Sequence, residues 1–380
     1  MTQSAVATVS AAPARWIVSR HFDLGWFFGG AGASLAVVAL YFGVGVPILV
    51  LWWTWLLAFD GPHIAAAFTR TYLDRDEWRA RPRVLLVGGL VFAIGPAFLL
   101  LTVATGSEGP FQLFLGLATL YGYYHVVRQH YGFLALYRAI NHDTGRFDRR
   151  LDAWCLYVGL WAPYAYFILS HPRARRLVSP PPDGPVALAV EAAVAGVVGL
   201  WILTLLAFAT RIVATRGRTN RPKVAYLLTT VLLYGAIYFL IARFEPVYAQ
   251  SSGPDQDFLL LSVLITLFHN IQYLGLVWFH NQNRYGAATP AGGPAWWINQ
   301  SFVRFVAVCA LFAPVYLLLA CWTAVFPGCA IFGATAAGTA TASQIGLCLW
   351  WGLALQHYYL DQKIWRISGD PVLKRNLRLA

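Results

Sequence analysis

The fold is decided by one stretch, Tyr121-Gly122-Tyr123-Tyr124-His125-Val126-Val127-Arg128-Gln129-His130-Tyr131-Gly132, which sets two histidines, an arginine and a glutamine inside a run long and apolar enough to cross a membrane. Ionisable groups at that depth are costly, and they usually face the interior of a helix bundle or a wet cavity. Three further segments carry a histidine at a similar depth: Pro62-His63, His269-Asn270-Ile271-Gln272 and Gln356-His357-Tyr358-Tyr359-Leu360-Asp361. The sequence therefore predicts one metal site built by four segments of a membrane protein.

The composition is typical of a membrane protein. Of the 380 residues, 58% are hydrophobic and only 12% are charged, whereas a water-soluble protein carries about 25% charged residues. The net charge of +12 comes from arginines that lie mostly in short loops between apolar runs. The positive-inside rule explains that placement, so the charge does not indicate nucleic-acid binding. The only methionine is Met1, which excludes a thioether copper site.

Apolar runs of about 20 residues are typical of membrane-spanning helices, and we predict about ten of them. They cover residues 25–44, 46–69, 84–105, 110–137, 151–170, 186–211, 223–243, 257–281, 302–326 and 339–365. The predicted fold is all-α, a polytopic integral membrane helix bundle that forms a single transmembrane domain over residues 21–367. Residues 1–20 are expected to form a disordered cytoplasmic tail, and residues 368–380 a second cytoplasmic tail.

Loop charge predicts the orientation. Arginine and lysine concentrate in alternate loops, such as 75–83, 138–150 and 211–223, whereas loops such as 106–110 and 326–342 are poor in positive charge. This bias predicts a multi-pass protein of the cell inner membrane with both termini in the cytoplasm. The four histidine-bearing helices then all run from outside to inside, and their histidines share the inner half of the bilayer. Core histidines placed independently of one another would not favour one leaflet.

Helical spacing selects the candidate ligands. Positions three or four residues apart share a face of a helix, so His357 can act with Asp361, and Asp60 with His63. His125 and His130 are five apart, or about 140° around a regular helix, and both reach one ion only if the helix contains a π-bulge. The candidate metal ligands are His63, His125, His130, His269, His357, Asp361 and Asp60. The alternative for any one histidine is a hydrogen-bonded core residue.

Three further side chains are candidates for catalytic roles. Arg128 is expected to pair with Asp60 or Asp361, or to meet a polar substrate head. Tyr273 and Tyr358 are expected to line the pocket, with core packing as the alternative for each. No residue is predicted to bind an organic cofactor, because the chain has no flavin, nicotinamide or ferredoxin fingerprint. Any reductant must then come from a separate electron-donor protein.

A histidine-rich, carboxylate-poor site favours non-haem iron, as one or two ions, with zinc, copper or haem as alternatives. Within a lipid bilayer such a site is open to lipophilic substrates. The predicted function is therefore an oxidoreductase that uses O2 for hydroxylation, desaturation or oxidative cleavage. Two other classes stay open. A haem-binding electron-transfer or quinol-linked protein would pair histidines across two helices, and a transporter or structural subunit would also place His, Asp and Arg in the membrane.

A resemblance to a known family follows from the same segments. Pro62-His63, the stretch from His125 to His130 and the stretch from His357 to Asp361 resemble the intramembrane histidine motifs of the Brp/Blh-type β-carotene 15,15′-dioxygenase family. The resemblance implies iron held by histidines of several helices, here His63, His125, His130 and His357, and the substrate is not carried over. In that family the histidine pair is spaced one residue closer. The His-x-x-His-His boxes of membrane fatty-acid desaturases are absent.

Overall fold

The computed structural model describes residues 14–171, 184–215, 219–244, 256–286, 292–321 and 342–379. Within these ranges all regular secondary structure is helical, as the all-α class predicts. The helices are α1 Arg20–Val44, α2 Ile48–Thr69, α3 Arg75–Ala80, α4 Pro82–Thr105, α5 Gly109–Ile140, α6 Arg146–Ser170, α7 Pro185–Ala214, α8 Arg221–Arg243, α9 Gln256–Tyr285, α10 Pro294–Ile298, α11 Phe302–Cys321, α12 Ala342–Ile364 and α13 Pro371–Asn376.

Seven helices in the described part of the chain are long and apolar enough to cross a membrane. They are α1, α2, α4, α6, α7, α8 and the part Leu259–Tyr285 of α9, and each coincides with a predicted span. The other predicted spans, 110–137, 302–326 and 339–365, fall on α5, α11 and α12, with residues 322–326 and 339–341 outside the described ranges. α5 and α12 are long enough but are not among the seven, and each carries histidine and other polar residues.

The contacts divide the described residues into two compact units, where the sequence predicts one domain over 21–367. One unit holds the described residues of 1–23 and 130–243. The other holds those of 24–129 and 244–380, and it contains three of the four histidine-bearing segments complete and the first part of the fourth. The candidate site therefore belongs to the second unit.

In the second unit, α1 and α9 pack closely. A Cβ atom on Gly30 of α1 would lie 2.8 Å from the Cα atom of Phe268 in α9, so only glycine permits this approach. Ser34 Oγ donates a hydrogen bond to the carbonyl oxygen of Leu264, 3.1 Å away. Small residues allow helix backbones to approach in this way within membranes. Because His269 directly follows Phe268, this contact fixes the position of His269 along α9.

α2 changes its winding just ahead of its histidine. Residues Leu56–Asp60 form a π-helical turn, and the Gly61 N–H donates to the carbonyl oxygen of Leu56, five residues back. Pro62 follows, and a proline inside a regular helix removes a hydrogen bond and clashes with the carbonyl four residues earlier. The wider turn accommodates the proline, and single π-turns of this kind are frequent at functional sites. The π-bulge that His125 and His130 would need to reach one ion is not observed, since Gly109–Ile140 is α-helical throughout.

An apolar cluster joins α5 to α12 and α4. Phe111, Phe114 and Ala118 of α5 pack against Cys348 and Leu355 of α12, and all five are buried. α12 also lies against α4 so closely that a Cβ atom on Gly95 would collide with the backbone of Cys348. This packing joins the N-terminal part of α5 to α12 and brings their histidine-bearing segments side by side.

In the first unit, a buried ion-pair network joins three helices. The Asp152 carboxylate of α6 accepts from Arg138 Nη1 of α5 at 2.5 Å and from Lys223 Nζ of α8 at 2.8 Å. Lys223 Nζ also donates to the carboxylate of Asp143 at 2.7 Å. The side chains of Asp152, Arg138 and Lys223 are 4%, 9% and 8% exposed, so each charge depends on the others for compensation.

Both predicted tails contain packed residues. Ile17 is buried, and its backbone N–H donates to Asp23 at 2.7 Å. Residues 14–20 are therefore not a disordered tail, and residues 1–13 lie outside the described ranges. The C-terminal segment contains α13, whose Leu373 and Asn376 are buried. The Asn376 carbonyl oxygen accepts from Asn283 Nδ2 of α9 at 2.9 Å, so this segment is docked against the second unit.

Candidate metal centre

Three helices bring together four buried side chains, His63, His125, His357 and Asp361, that could hold a metal ion. One ligand atom of each lies within 4.8 Å of those of the others. His357 Nε2 is 3.1 Å from His63 Nε2 and 3.5 Å from Asp361 Oδ2, and His125 Nε2 is 3.8 Å from the same carboxylate oxygen. The three imidazole Nε2 atoms and one carboxylate oxygen thus point at one another.

The shortest of these separations, 3.1 Å between His63 Nε2 and His357 Nε2, is that of ligands that share one ion, and the other two, 3.5 and 3.8 Å, are somewhat wider. Metal–nitrogen bonds of about 2.0–2.1 Å place neighbouring ligand atoms about 3.0–3.4 Å apart. His125 Nε2 is buried and has no hydrogen-bond partner among the described residues, although it points at the carboxylate. A buried polar atom without a partner costs about 1–3 kcal/mol. A cation bound between the four side chains would satisfy His125 Nε2 and separate the facing nitrogens of His63 and His357.

A fourth imidazole, His269 of α9, completes a closed ring of histidines. Its ring centroid is 4.7 Å from that of His63 and 4.9 Å from that of His125. The His357 centroid closes the ring at 4.3 Å from His63 and 5.2 Å from His125. The four rings therefore come from four helices, α2, α5, α9 and α12, as the sequence predicts. His269 is buried beside the four candidate ligands, although it is not one of the group whose ligand atoms converge.

Tyrosine side chains orient the ligands. Tyr273 Oη donates to Asp361 Oδ1 at 2.6 Å, which leaves Oδ2 facing the imidazoles. The Tyr358 ring stacks on His125, with centroids 4.2 Å apart and planes at 23°. Both tyrosines thus contact candidate ligands directly, and their catalytic or pocket-lining role stays a prediction. His63 Nδ1 and His357 Nδ1 have no hydrogen-bond partner within the described chain, so ring packing fixes the orientation of these two imidazoles.

Replacing Tyr273 by phenylalanine is expected to weaken metal binding by about 10–100-fold, because outer hydrogen bonds of this kind tune metal affinity by that factor. Asp361 then loses the contact that directs its second oxygen toward the histidines. Competition with a chelator of known affinity measures the change. Tyr285→Phe is the matched control, since its hydroxyl donates to Asp74 at 2.6 Å from the same helix. Equal metal affinity in Tyr273→Phe and wild type would contradict this role.

His130 requires a correction. Its Nδ1 is 2.8 Å from Tyr226 Oη and its Nε2 is 3.1 Å from Tyr234 Oη, so tyrosines engage both nitrogens. The regular winding of α5 turns His130 away from His125. His130 therefore has the alternative role, that of a hydrogen-bonded core histidine.

The expected ion pair of Arg128 stays a prediction, and Asp60 lies apart from the convergent side chains. The Arg128 side chain is exposed, and Asp361 is engaged by Tyr273 and faced by histidines. Asp60 is buried and accepts from Asn270 Nδ2 at 3.1 Å. It lies next to the centre along α2 but outside the group of four convergent ligands. His280 is buried and bonds Asn281 and Asn376 at 2.9 and 3.3 Å, which is a structural role.

Two further side chains contact residues of α9 at the centre; Trp365 was not singled out from the sequence, whereas Gln129 belongs to the stretch quoted at the start. Trp365 Nε1 donates to Tyr273 Oη at 3.4 Å, and Gln129 Nε2 donates to the carbonyl oxygen of His269 at 2.8 Å. Helical spacing indicates that both lie near the candidate ligands, because residues four apart share a face of a helix. Trp365 is four residues after Asp361, and Gln129 is four residues after His125.

Comparisons with known proteins give no match to this chain: no family model matches, and no curated protein or solved structure is significantly similar.

Proposed function

We propose that the protein is an integral-membrane non-haem iron oxidoreductase that uses O2 to hydroxylate, desaturate or cleave a lipophilic substrate. The convergence of three imidazoles and one carboxylate, with a fourth imidazole adjacent, is the observation that carries the proposal. Histidine together with carboxylate is the ligand type of non-haem iron oxygenases, whereas structural zinc favours cysteine-containing sets. When bound, the iron would supply the redox chemistry, and His63, His125, His357 and Asp361 would hold it.

The surroundings of the centre support a lipophilic substrate. The four ligand residues are all less than one-tenth exposed and lie on helices of a membrane protein. A site enclosed by such helices excludes water and is reached from the lipid phase. On this proposal the positively charged loops face the cytoplasm, so that the centre lies in the inner half of the cell inner membrane.

The geometry argues against haem. Two histidines on opposite sides of one iron are held about 4 Å apart, because each bond is about 2.0 Å long. His63 Nε2 and His357 Nε2 are only 3.1 Å apart, which suits neighbouring positions around an ion and leaves no room for a porphyrin between them. The third imidazole and Asp361 would also have no role in such a site.

Elemental analysis and absorption spectroscopy of the full chain, purified in lipid nanodiscs, test the proposal. We expect one or two iron ions per chain and no Soret band. With a chemical reductant and a lipid extract, the protein should consume O2 and release an oxygenated or desaturated lipid. A metal centre fully occupied by zinc alone, or a Soret band in the absorption spectrum, would contradict the proposed function.

A further inference from the structure

Arg70 is a wholly buried guanidinium that forms no direct ion pair within the described residues. It follows the last residue of α2 and is 1% exposed. Its Nε and Nη1 atoms have no hydrogen-bond partner among the described residues. Within that part of the chain its one hydrogen bond runs from Nη2 to the carbonyl oxygen of Ile364, at a long 3.4 Å. A buried charge normally requires an ionic partner and several hydrogen bonds.

The carboxylates of this region are already engaged by other groups. Glu77 accepts from Arg81 at 2.7 and 2.8 Å and lies 3.1 Å from Arg284. Asp74 accepts from Arg284 and Tyr285 at 2.6 Å each. Asp361 accepts from Tyr273 and faces the imidazoles. Across the described residues, therefore, no carboxylate forms an ion pair with Arg70.

Two weaker contacts hold the guanidinium in place. Its carbon lies 4.1 Å from the ring centroid of Trp365, a cation–π contact. Arg70 also adjoins the C-terminal ends of α2 and α12, which carry partial negative charge. These contacts orient the flat group but supply no full counter-charge and no acceptor for Nε and Nη1. The donors therefore stay available to a planar or tetrahedral oxyanion.

We propose that Arg70 binds a carboxylate or phosphate group, supplied either by the head of an amphiphilic lipid or by a free oxyanion. Burial lowers the pKa of Arg70 from its ordinary value, and a bound oxyanion would offset that cost. If the head of the lipophilic substrate occupies this site, which rests on the proposed function, the substrate is an anionic amphiphile. His63 precedes Arg70 by seven residues on α2, so the head would lie about 10 Å from the metal centre along the helix.

Binding of radiolabelled palmitate to the full chain in nanodiscs made of neutral lipid tests this site. Hexadecanol is the neutral ligand of the same length, and inorganic phosphate is the free oxyanion. We expect wild type to bind one of the two oxyanions, and Arg70→Gln to weaken that binding tenfold or more, as the loss of a charge-assisted hydrogen bond predicts. Arg79→Gln is the matched control, since that side chain is 80% exposed and pairs only with Asp76.

The different ligands distinguish a lipid head from a free oxyanion, and the variants distinguish the oxyanion site from the proposed metal centre. Palmitate bound more tightly than hexadecanol identifies a lipid head, and phosphate binding that excludes palmitate identifies a free oxyanion. Arg70→Lys, which keeps the charge, should retain part of the affinity, whereas a purely structural arginine would give the same ligand binding in all folded variants. His125→Ala should lose metal and still bind the oxyanion. The site is disproved if wild type binds neither oxyanion, or if Arg70→Gln binds as wild type does.

Discussion

His357→Ala is expected to abolish metal binding by the purified protein. His357 is fully buried, and its Nε2 is closest to both other ligand types, 3.1 Å from His63 Nε2 and 3.5 Å from Asp361 Oδ2. Removing it opens the ring of imidazoles and leaves the carboxylate with fewer partners at the centre. Elemental analysis should show iron falling from one or two ions per chain to a trace. His125→Ala should give the same loss.

His130→Gln is the informative control for that experiment. Glutamine preserves hydrogen-bonding capacity beside Tyr226 and Tyr234, and His130 contributes no nitrogen to the convergent group. Iron content should therefore stay at the wild-type level. Retention of full iron by both His357→Ala and His125→Ala would show that the metal, if any, lies elsewhere.

Asp152→Ala is expected to cause the largest loss of stability. Arg138 and Lys223 would remain buried with only Asp143 between them. Removing one partner from a buried ion pair costs about 3–5 kcal/mol, because the remaining charges are left without compensation. The midpoint of thermal unfolding in detergent should fall by about 4–6 °C.

Asp148→Ala provides the comparison for Asp152. Asp148 also pairs with an arginine between two helices of the same unit, at 2.7 Å, but the side chains of Asp148 and Arg211 are 30% and 38% exposed. Pairs that are open to solvent contribute about 0–1 kcal/mol, so the unfolding midpoint should hardly change. Equal destabilisation by the two substitutions would contradict the assignment of the Asp152 network as the principal electrostatic support of this unit.

The position of each ligand along its helix was predictable from the sequence, whereas its direction around the helix was only partly so. Distances from the charged loops placed His63, His125, His269 and His357 at one depth, and the structure brings their rings together. His125 and His130 are five residues apart and therefore lie on different faces of a regular helix. Their spacing alone did not show which of the two faces the metal centre. The hydroxyl groups of Tyr226 and Tyr234, about 100 residues later in the chain, form hydrogen bonds with the two ring nitrogens of His130. No local sequence pattern indicates these contacts.

The π-turn shows a different limit of local reasoning. The spacing of His125 and His130 raised the possibility of such a turn in α5, as the condition for both to reach one ion, whereas the π-turn occurs at Leu56–Asp60 of α2. Gly61-Pro62 was the relevant signal in the sequence. A proline inside a helix clashes with the carbonyl group four residues earlier, and a wider preceding turn removes that clash. Arg70 marked only a helix end in the sequence. Its burial depends on packing against Trp365 from a distant helix, which spacing does not indicate.

The uneven apolarity of the helices has a consequence for biogenesis. α5 and α12 supply His125, His357 and Asp361, and they are not among the seven helices that qualify as spans. An acidic residue at the centre of a helix costs about 2.5–3.5 kcal/mol when the translocon transfers it to lipid, and Asp361 lies near the C-terminal end of α12, which runs from Ala342 to Ile364. We therefore expect α12 to leave the translocon together with a neighbour such as the strongly apolar α4, against which it packs. The residues that prepare the protein for metal are thus those that make its insertion cooperative.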